Sequence, residues 1–380
     1  MRALSSKTEL FDPYRAGFAL GENLAALAPE VVFLYSSMHY ATPELLEGLY
    51  DGLDSDKAII IGNTGAGIYE TSGFITQGAA ALALNSDGKI DWQIHCIENA
   101  DRKLTGKLEQ VLASLPTDRE PPCLAYVSAD FRINAQELEQ FLQKHIPYPV
   151  IGGLANDDLL MRNCYIYANR RVIEKGLAVL LAYGRMNLSL AVGNTLHCIG
   201  HSGLVEQVDG QQVFQIDGIS ASRFIERETG RPMLHTDISV VLLEVSGPEM
   251  PPVKRLRSII PEDHHGDQSL RLICGIPVGS QTQVCLADPT DLLDNVEAIA
   301  EAEKATGRRP VAALIVSCLG RKMVLGKKTH QEINALTDRF PGLPLLGFPS
   351  LGEIAPLRQD EGYSRSYFHN MTYVLLLIEE

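Results

Sequence analysis

The sequence predicts an α/β protein: mixed sheets built from repeated strand–helix–strand units, set in two lobes with internal pseudo-symmetry. Three observations predict it. An apolar run, an amphipathic segment and a second apolar run recur in that order three times. In every copy the first run ends in serine and the second in glycine. The chain has 380 residues, enough for roughly two to three domains at about 150 residues each.

The first copy reads VVFLYSSMHY (31–40), PELLEGLYDGL and KAIIIGNTGAG (57–67). The second reads CLAYVSADF (123–131), AQELEQFLQKHI and YPVIGGLANDD (148–158). The third reads VAALIVSCLGR (311–321), HQEINALTDRF and LPLLGFPSLGE (343–353). Ser36, Ser128 and Ser317 thus share one place in the repeat, and Gly62, Gly152 and Gly347 another. The apolar runs are short, β-branched and bounded by turn residues, the pattern of strands buried on both faces. Leu138, Phe141 and Leu142 stand at helical spacing in the middle segment of the second copy. A strand–helix–strand unit implies parallel pairing with a right-handed crossover. A further apolar run follows each copy: QGAAALALN (77–85), KGLAVLLAY (175–183) and NMTYVLLLI (370–378). These are expected to add antiparallel. Residues 31–84 should therefore superpose on 312–378.

Between residues 227 and 268 the composition changes. ISVVLLEV is the one strand-like core there, among prolines and charges of both signs, and the segment reads as an inter-lobe element. The basic cluster Lys254, Arg255 and Arg257 reads as a solvated loop, and so do His264 and His265 in PEDHHGD. Residues 275–307 then supply a strand and the helix that starts the C-terminal unit.

Composition excludes some functions. Lys and Arg total 33 against 47 Asp and Glu, a net charge of −14. Such a surface repels phosphate and argues against nucleic-acid binding driven by counterion release. The seven cysteines are odd in number and form no CxxC pair, which argues against a disulfide framework and a Cys-rich zinc site. The first residues, MRALSSKTELFDPYRAG, hold no apolar signal core, and no apolar stretch is long enough to span a membrane. A cytoplasmic location is expected.

At SCLGR (317–321), GFPSLGEIAP (347–356) and FHNMT (368–372) the chain resembles the C-terminal half of the FIST sensory family. The N-terminal half resembles it at VVFLYSS, GNTGAG, IGGLANDD and the IDGISA turn within residues 191–226. The resemblance implies a FIST N-like lobe over 1–217 and a FIST C-like lobe over 218–380. It also implies a cytoplasmic input module that binds a small molecule, such as an amino acid, or haem and nitric oxide. The partner it implies is a separate signalling protein, a histidine kinase of a two-component system or a cyclic-di-GMP enzyme. In one respect the chain departs from the family: Gly67-Ile68 stands where a Gly-Glu pair is usual, and Glu70 is displaced by two residues.

In open α/β sheets, ligands bind at the carboxyl ends of strands. Ser37, Asn63 and Thr64 of the first unit are therefore expected to share a cavity with Ser317, Cys318, Arg321, Ser350 and Glu353 of the last. Arg321 suits a ligand carboxylate and Glu353 an ammonium, so the two would grip a zwitterion and pair with each other when empty. Haem is the cofactor the resemblance raises. Its iron would take a neutral imidazole, from His39 or His369, with His201 behind them. His197 and His201 lie four apart in a strand-like run, too far along a strand to share a metal.

GNTGAG is neither a dinucleotide fingerprint nor a Walker loop, and the extended IYETSGF that follows offers no helix N-terminus to an anion. An enzyme using Cys318 or the strand-end serines is the alternative function. No serine lies in a GxSxG elbow and no catalytic carboxylate pair is evident by spacing, so no catalytic residue is assigned. A scaffold that binds only protein is the third reading.

Overall fold

In the computed structural model the repeat occurs three times, and the three copies exchange parts in a ring. The structure describes every residue except 158, 249–252, 261–267 and 360–361. The first unit runs β1 (Arg2–Thr8), α1 (Pro13–Ala25), β2 (Val31–Ser36), α2 (Pro43–Leu53), β3 (Ile59–Thr64), the hairpin β4 (Ile68–Glu70) and β5 (Gly73–Ile75), and β6 (Ala79–Asn85). The second runs β7 (Asp91–Ile97), α3 (Leu104–Ser114), β8 (Leu124–Asp130), α4 (Ala135–His145), β9 (Val150–Ala155), the hairpin β10 (Tyr165–Ala168) and β11 (Arg171–Glu174), and β12 (Leu177–Tyr183).

The third unit begins with β13 (Leu188–Gly193) and is then interrupted. The insertion holds β14 (His197–Asp209), β15 (Gln212–Ile216), β16 (Ile219–Ser220), α5 (Ala221–Thr229), β17 (Val241–Ser246), β18 (Lys254–Ile260), β19 (Leu270–Leu272) and β20 (Gln281–Leu286). It forms a separate seven-stranded sheet. The unit resumes with α6 (Pro289–Ala305), β21 (Pro310–Cys318), α7 (Leu319–Leu325), α8 (Gln331–Arg339) and β22 (Leu345–Ser350). It ends with the hairpin β23 (Glu353–Arg358) and β24 (Tyr363–His369), and β25 (Tyr373–Glu379).

Each unit builds a six-stranded sheet of one pattern: β1-β6-β2-β3-β10-β11, β7-β12-β8-β9-β23-β24 and β13-β25-β21-β22-β4-β5. The central pairs β2–β3, β8–β9 and β21–β22 are parallel, and β6, β12 and β25 add antiparallel. The expected connectivity of 31–84 and 312–378 is therefore the same. The last two strands of each sheet come from another unit. The first sheet takes the hairpin of the second unit, the second that of the third, and the third that of the first. Strands from both lobes thus share the third sheet. The boundary expected at 217/218 falls inside the inserted sheet, between β15 and β16.

The repeated glycines have a packing reason. Gly62 stands opposite Leu34, Gly152 opposite Val127 and Gly347 opposite Ile315 across the parallel pairs. A Cβ there would lie 1.7, 1.8 and 2.5 Å from the carbonyl oxygens of Leu34, Val127 and Ile315. The glycines bring backbone to backbone rather than backbone to ligand. Helix ends follow the sequence as well. Asp12 accepts from Arg15 N at 2.8 Å ahead of Pro13, and Asn134 and Asp288 cap α4 and α6 in the same way. The faces of the three sheets meet in one core, where the Tyr35 hydroxyl bonds that of Tyr126 and the Tyr35 ring lies 4.6 Å from Phe348.

Two expectations are corrected. Cys198 and Cys285 form a disulfide. They are 87 residues apart, but β14 and β20 pair them directly, a proximity that local spacing does not reveal. The basic cluster is not a solvated loop. It belongs to β18, and Arg255 and Arg257 are buried at 7% and 1% exposure. Strand β18 was hidden because charged residues alternate with apolar ones inside a region of mixed charge. Residues 275–307 give a strand and a helix as expected: β20 closes the inserted sheet and α6 resumes the third unit. His264 and His265 lie outside the described residues. Among those described, no helix is long and apolar enough to cross a membrane.

Candidate functional site

The three C-terminal motifs meet where the inserted sheet abuts the third unit. SCLGR carries the chain from β21 into α7, Glu353 opens β23, and FHNMT links β24 to β25. Glu353 stands opposite His369 in the β23–β24 ladder. Its Oε2 accepts from Thr372 N at 3.2 Å and Thr372 Oγ1 at 2.8 Å. Cys318 N donates to Thr372 O at 2.9 Å, which closes the group. Glu353, His369, Asn370 and Thr372 are all fully buried.

Strand β18 and helix α4 hold the same turn from the other side. Arg257 donates to Phe368 O at 2.8 Å and to both oxygens of Glu139 at 3.1 and 3.2 Å. Phe368 N donates to Glu139 Oε1 at 3.0 Å, and Ser258 N to Asn370 Oδ1 at 3.2 Å. The guanidinium of Arg255 lies 4.7 Å from the centre of the Tyr367 ring. The turn is thus gripped by residues of the second unit, the inserted sheet and the third unit together.

Three polar atoms of this turn have no hydrogen-bond partner among the described residues: Glu353 Oε1, His369 Nδ1 and Asn370 Nδ2. An unpaired buried polar atom costs about 1–3 kcal/mol, so each of the three is a place for a water or for a polar group of a bound molecule. The chemistry of each atom is fixed by its other contacts. His369 Nε2 lies 3.0 Å from Ala355 O and must carry the proton, which leaves Nδ1 a bare acceptor. Burial pulls its pKa down to about 4, so the ring is neutral. Asn370 Nδ2 is a donor. Burial pushes the Glu353 carboxyl up to about 8, against the hydrogen bonds from Thr372 and Cys318, which favours the protonated acid. Cys318 is pushed up by burial and then by Glu353, so its sulfur is a thiol and not a nucleophilic thiolate.

The other expected site residues are buried, and their polar groups bond to the protein itself. Ser37 Oγ donates to Gly78 O at 3.3 Å and accepts from Gly78 N. Asn63 accepts from Ser128 Oγ at 2.7 Å, and Thr64 Oγ1 donates to Asn156 O at 3.1 Å. Asn156 donates in turn to Pro349 O at 2.5 Å, and Ser350 Oγ accepts from Leu154 N at 3.0 Å. Thr64 thus meets Asn156, a residue that sequence reasoning did not single out, while Asn63 is held by Ser128 and Ser350 by Leu154 and Gly352.

Ser317 and Arg321 form a second knot. Arg321 Nε donates to Glu332 Oε1 at 2.7 Å, Nη2 to Leu292 O at 2.8 Å, and Ser317 and Tyr69 hydroxyls to Glu332 Oε2 at 3.0 and 2.6 Å. The partner of Arg321 is thus Glu332 and not Glu353, which corrects the expected pair. α8 carries Glu332 onto the sheet at full burial, a position the α8 sequence offered as a plain charged helix residue.

The two histidines considered for haem do not stand in an apolar slot. His39 is exposed, with Nε2 at 2.7 Å from Phe11 O and its ring 4.1 Å from Phe11, so it faces the surface rather than the strand ends. His369 is sealed among Glu353, Phe368, Ala355 and the Arg257–Glu139 pair. His201 is 93% exposed beside Glu228. The residues as arranged do not fit a porphyrin. His197 and His201 both lie on β14, as the alternating pattern required.

Family models place the chain. The FIST N domain matches residues 30–219 and the FIST C domain residues 254–356. Two relatives from Mycobacterium tuberculosis strains, uncharacterized proteins MT0656 and Rv0628c, are each 24% identical over 229 residues, 55% of this chain and 56% of theirs. The match thus spans about half the length of these relatives. Among solved structures, T. maritima PurL complexed with ATP aligns over 100% of this chain and 71% of its own at 11% identity, but with a TM-score of 0.20. The ring of three units, the inserted sheet and the convergence of SCLGR, SLGE and FHNMT are thus the build of a chain that belongs to the FIST family.

Proposed function

We propose that the protein is a cytoplasmic sensor that binds a small polar molecule at the Glu353–His369–Asn370 turn and signals to a separate protein. FIST domains are sensory and signalling modules. The observation that carries the reading is the trio of unpartnered buried atoms on the family's own motifs. They offer a donor, an acceptor and a protonated carboxyl, a set that suits an uncharged amide or carboxylic group better than a bare ion. An amide, such as the side chain of free asparagine or glutamine, supplies such a group uncharged at neutral pH, whereas a free carboxylic acid is ionised there. The turn is held by three parts of the molecule, so a ligand there would bias how they pack, and a histidine kinase or cyclic-di-GMP enzyme is the class of partner that would read it. Catalysis by Cys318 is disfavoured because its thiol is held protonated.

Thermal-shift screening of amino acids, their amides and small organic acids tests this. A ligand at one hundred times its Kd adds about 2.7 kcal/mol of stability. Wild type should be stabilised and Asn370→Ala much less. Equal stabilisation of both by a hit would remove the turn from the site. A Soret band in protein produced with haem, abolished by His369→Ala, would replace the polar ligand with haem.

A further inference from the structure

We propose that Cys198, Cys285 and Glu244 form, in the reduced protein, a binding site for a thiophilic divalent cation, zinc above all. This stands apart from the ligand reading and uses none of its residues. Strand β20 lies between β14 and β17. Cys198 faces Cys285 across one ladder, and Glu244 stands opposite Gln283, two residues from Cys285, across the other. The two sulfurs and a carboxylate oxygen all lie within 4.8 Å of one another. Two thiolates and a carboxylate are a soft, mixed donor set that favours zinc over magnesium or calcium. Three protein ligands leave a fourth tetrahedral position for water.

The surroundings suit the charge. Two thiolates, one carboxylate and a divalent cation sum to −1, and Lys254 Nζ lies 2.8 Å from Glu244 Oε1 to offset it. One wall is apolar, with Leu242, Leu256, Leu292 and Leu325 in the cluster that holds Cys285. Cys198 and Glu244 are only partly covered, which gives a cation a way in. A reducing cytosol, the setting proposed above, keeps thiols free.

The disulfide is the alternative state of the same pair. A water-soluble phosphine converts it to two thiols. The phosphine becomes a phosphine oxide with oxygen from water, and the water's two hydrogens go to the sulfurs. Zinc then displaces both thiol protons. Oxidised glutathione reverses the state by two exchange steps, which release the metal and two molecules of glutathione. Because β17 also pairs with β18, the metal would brace the strand that carries Arg257 and Ser258.

The experiment uses the full chain, reduced with a phosphine, desalted and titrated with cobalt(II), then with zinc in competition. Reduced wild type should show a thiolate-to-cobalt charge-transfer band that zinc removes and prior oxidation with oxidised glutathione prevents. Cys198→Ser and Cys285→Ser should lack the band, and Glu244→Gln should bind roughly tenfold or more weakly. Cys96→Ser should behave as wild type. Circular dichroism in chelator checks that each variant folds. Alkylation provides a second readout in wild type, since zinc should shield two thiols. Absence of the band in reduced wild type, its persistence in Cys198→Ser, or unchanged affinity in Glu244→Gln would each overturn the site.

Discussion

Arg321 on α7 and Glu332 on α8 form an ion pair of 2.7 Å with both side chains sealed from water. Breaking such a pair from one side leaves an uncompensated buried charge, at a cost of about 3–5 kcal/mol. Glu332→Ala should therefore lose about that much in urea unfolding, and it also strips the Ser317 and Tyr69 hydroxyls of their acceptor. A loss under about 1 kcal/mol would mean that water or a shifted side chain replaces the carboxylate.

Arg321→Lys separates charge from geometry. A lysine ammonium keeps the attraction to Glu332 but lacks the planar fork that also reaches Leu292 O. The variant should be less stable by about 1–3 kcal/mol, well short of the alanine change at Glu332. If Arg321→Lys is as damaging as Glu332→Ala, the knot is held by shape more than by charge.

Much of the fold was legible because the repeat restates itself. Any one run such as CLAYVSADF fits a strand or a short buried helix, but three copies with the same flanks fix the unit. The exchange of hairpins was not legible. IYETSGF reads as extended wherever it pairs, and nothing local says that β4 joins β22 rather than a strand of its own unit. The site was legible in part. SCLGR, SLGE and FHNMT named Cys318, Glu353 and His369, which do assemble. Glu139, Asn156, Arg257 and Glu332 were hidden because a charged or amide side chain reads as surface until its tertiary partner is known. Asn370 lies inside FHNMT, but an amide beside a histidine carries no sequence signal of its own burial.

The glycines of the parallel pairs make a contrast that can be measured. Gly152→Ala would drive a Cβ to 1.8 Å from Val127 O, and the neighbouring strand cannot yield without loss of its ladder. The expected loss is at least about 3 kcal/mol, at the upper end for overpacking. In α3, a Cβ at Gly106 meets nothing within 4 Å, so Gly106→Ala should add about 0.5–1 kcal/mol through helix propensity. Denaturant midpoints at constant slope would report both. Opposite signs are required, and a neutral Gly152→Ala would show that the parallel strands have room to separate.

Protonation of the candidate turn should leave its mark on stability against pH. The Glu353 carboxyl rises from an ordinary 4.5 to about 8 in the folded protein. Between those values the folded state keeps a proton that the unfolded chain has released, so stability falls as pH rises. His369 works in the other direction. Its pKa falls from 6.5 to about 4, so the unfolded chain gains a proton that the folded state refuses, and stability falls as pH drops through that range. The two effects oppose each other from about pH 4.5 to 6.5, and above 6.5 Glu353 acts alone of the two. Glu353→Gln mimics the protonated acid and can still accept from Thr372. Unfolding free energies of wild type and Glu353→Gln should converge toward the acid side and separate steadily from pH 6.5 to 8, with wild type falling. The difference between the two curves removes every group they share, Glu228 and Asp237 included, whose lowered pKa values act in acid. Parallel curves across pH 6.5–8 would show that Glu353 is ionised in the folded state, and the turn would then present a carboxylate rather than a carboxylic acid to its ligand.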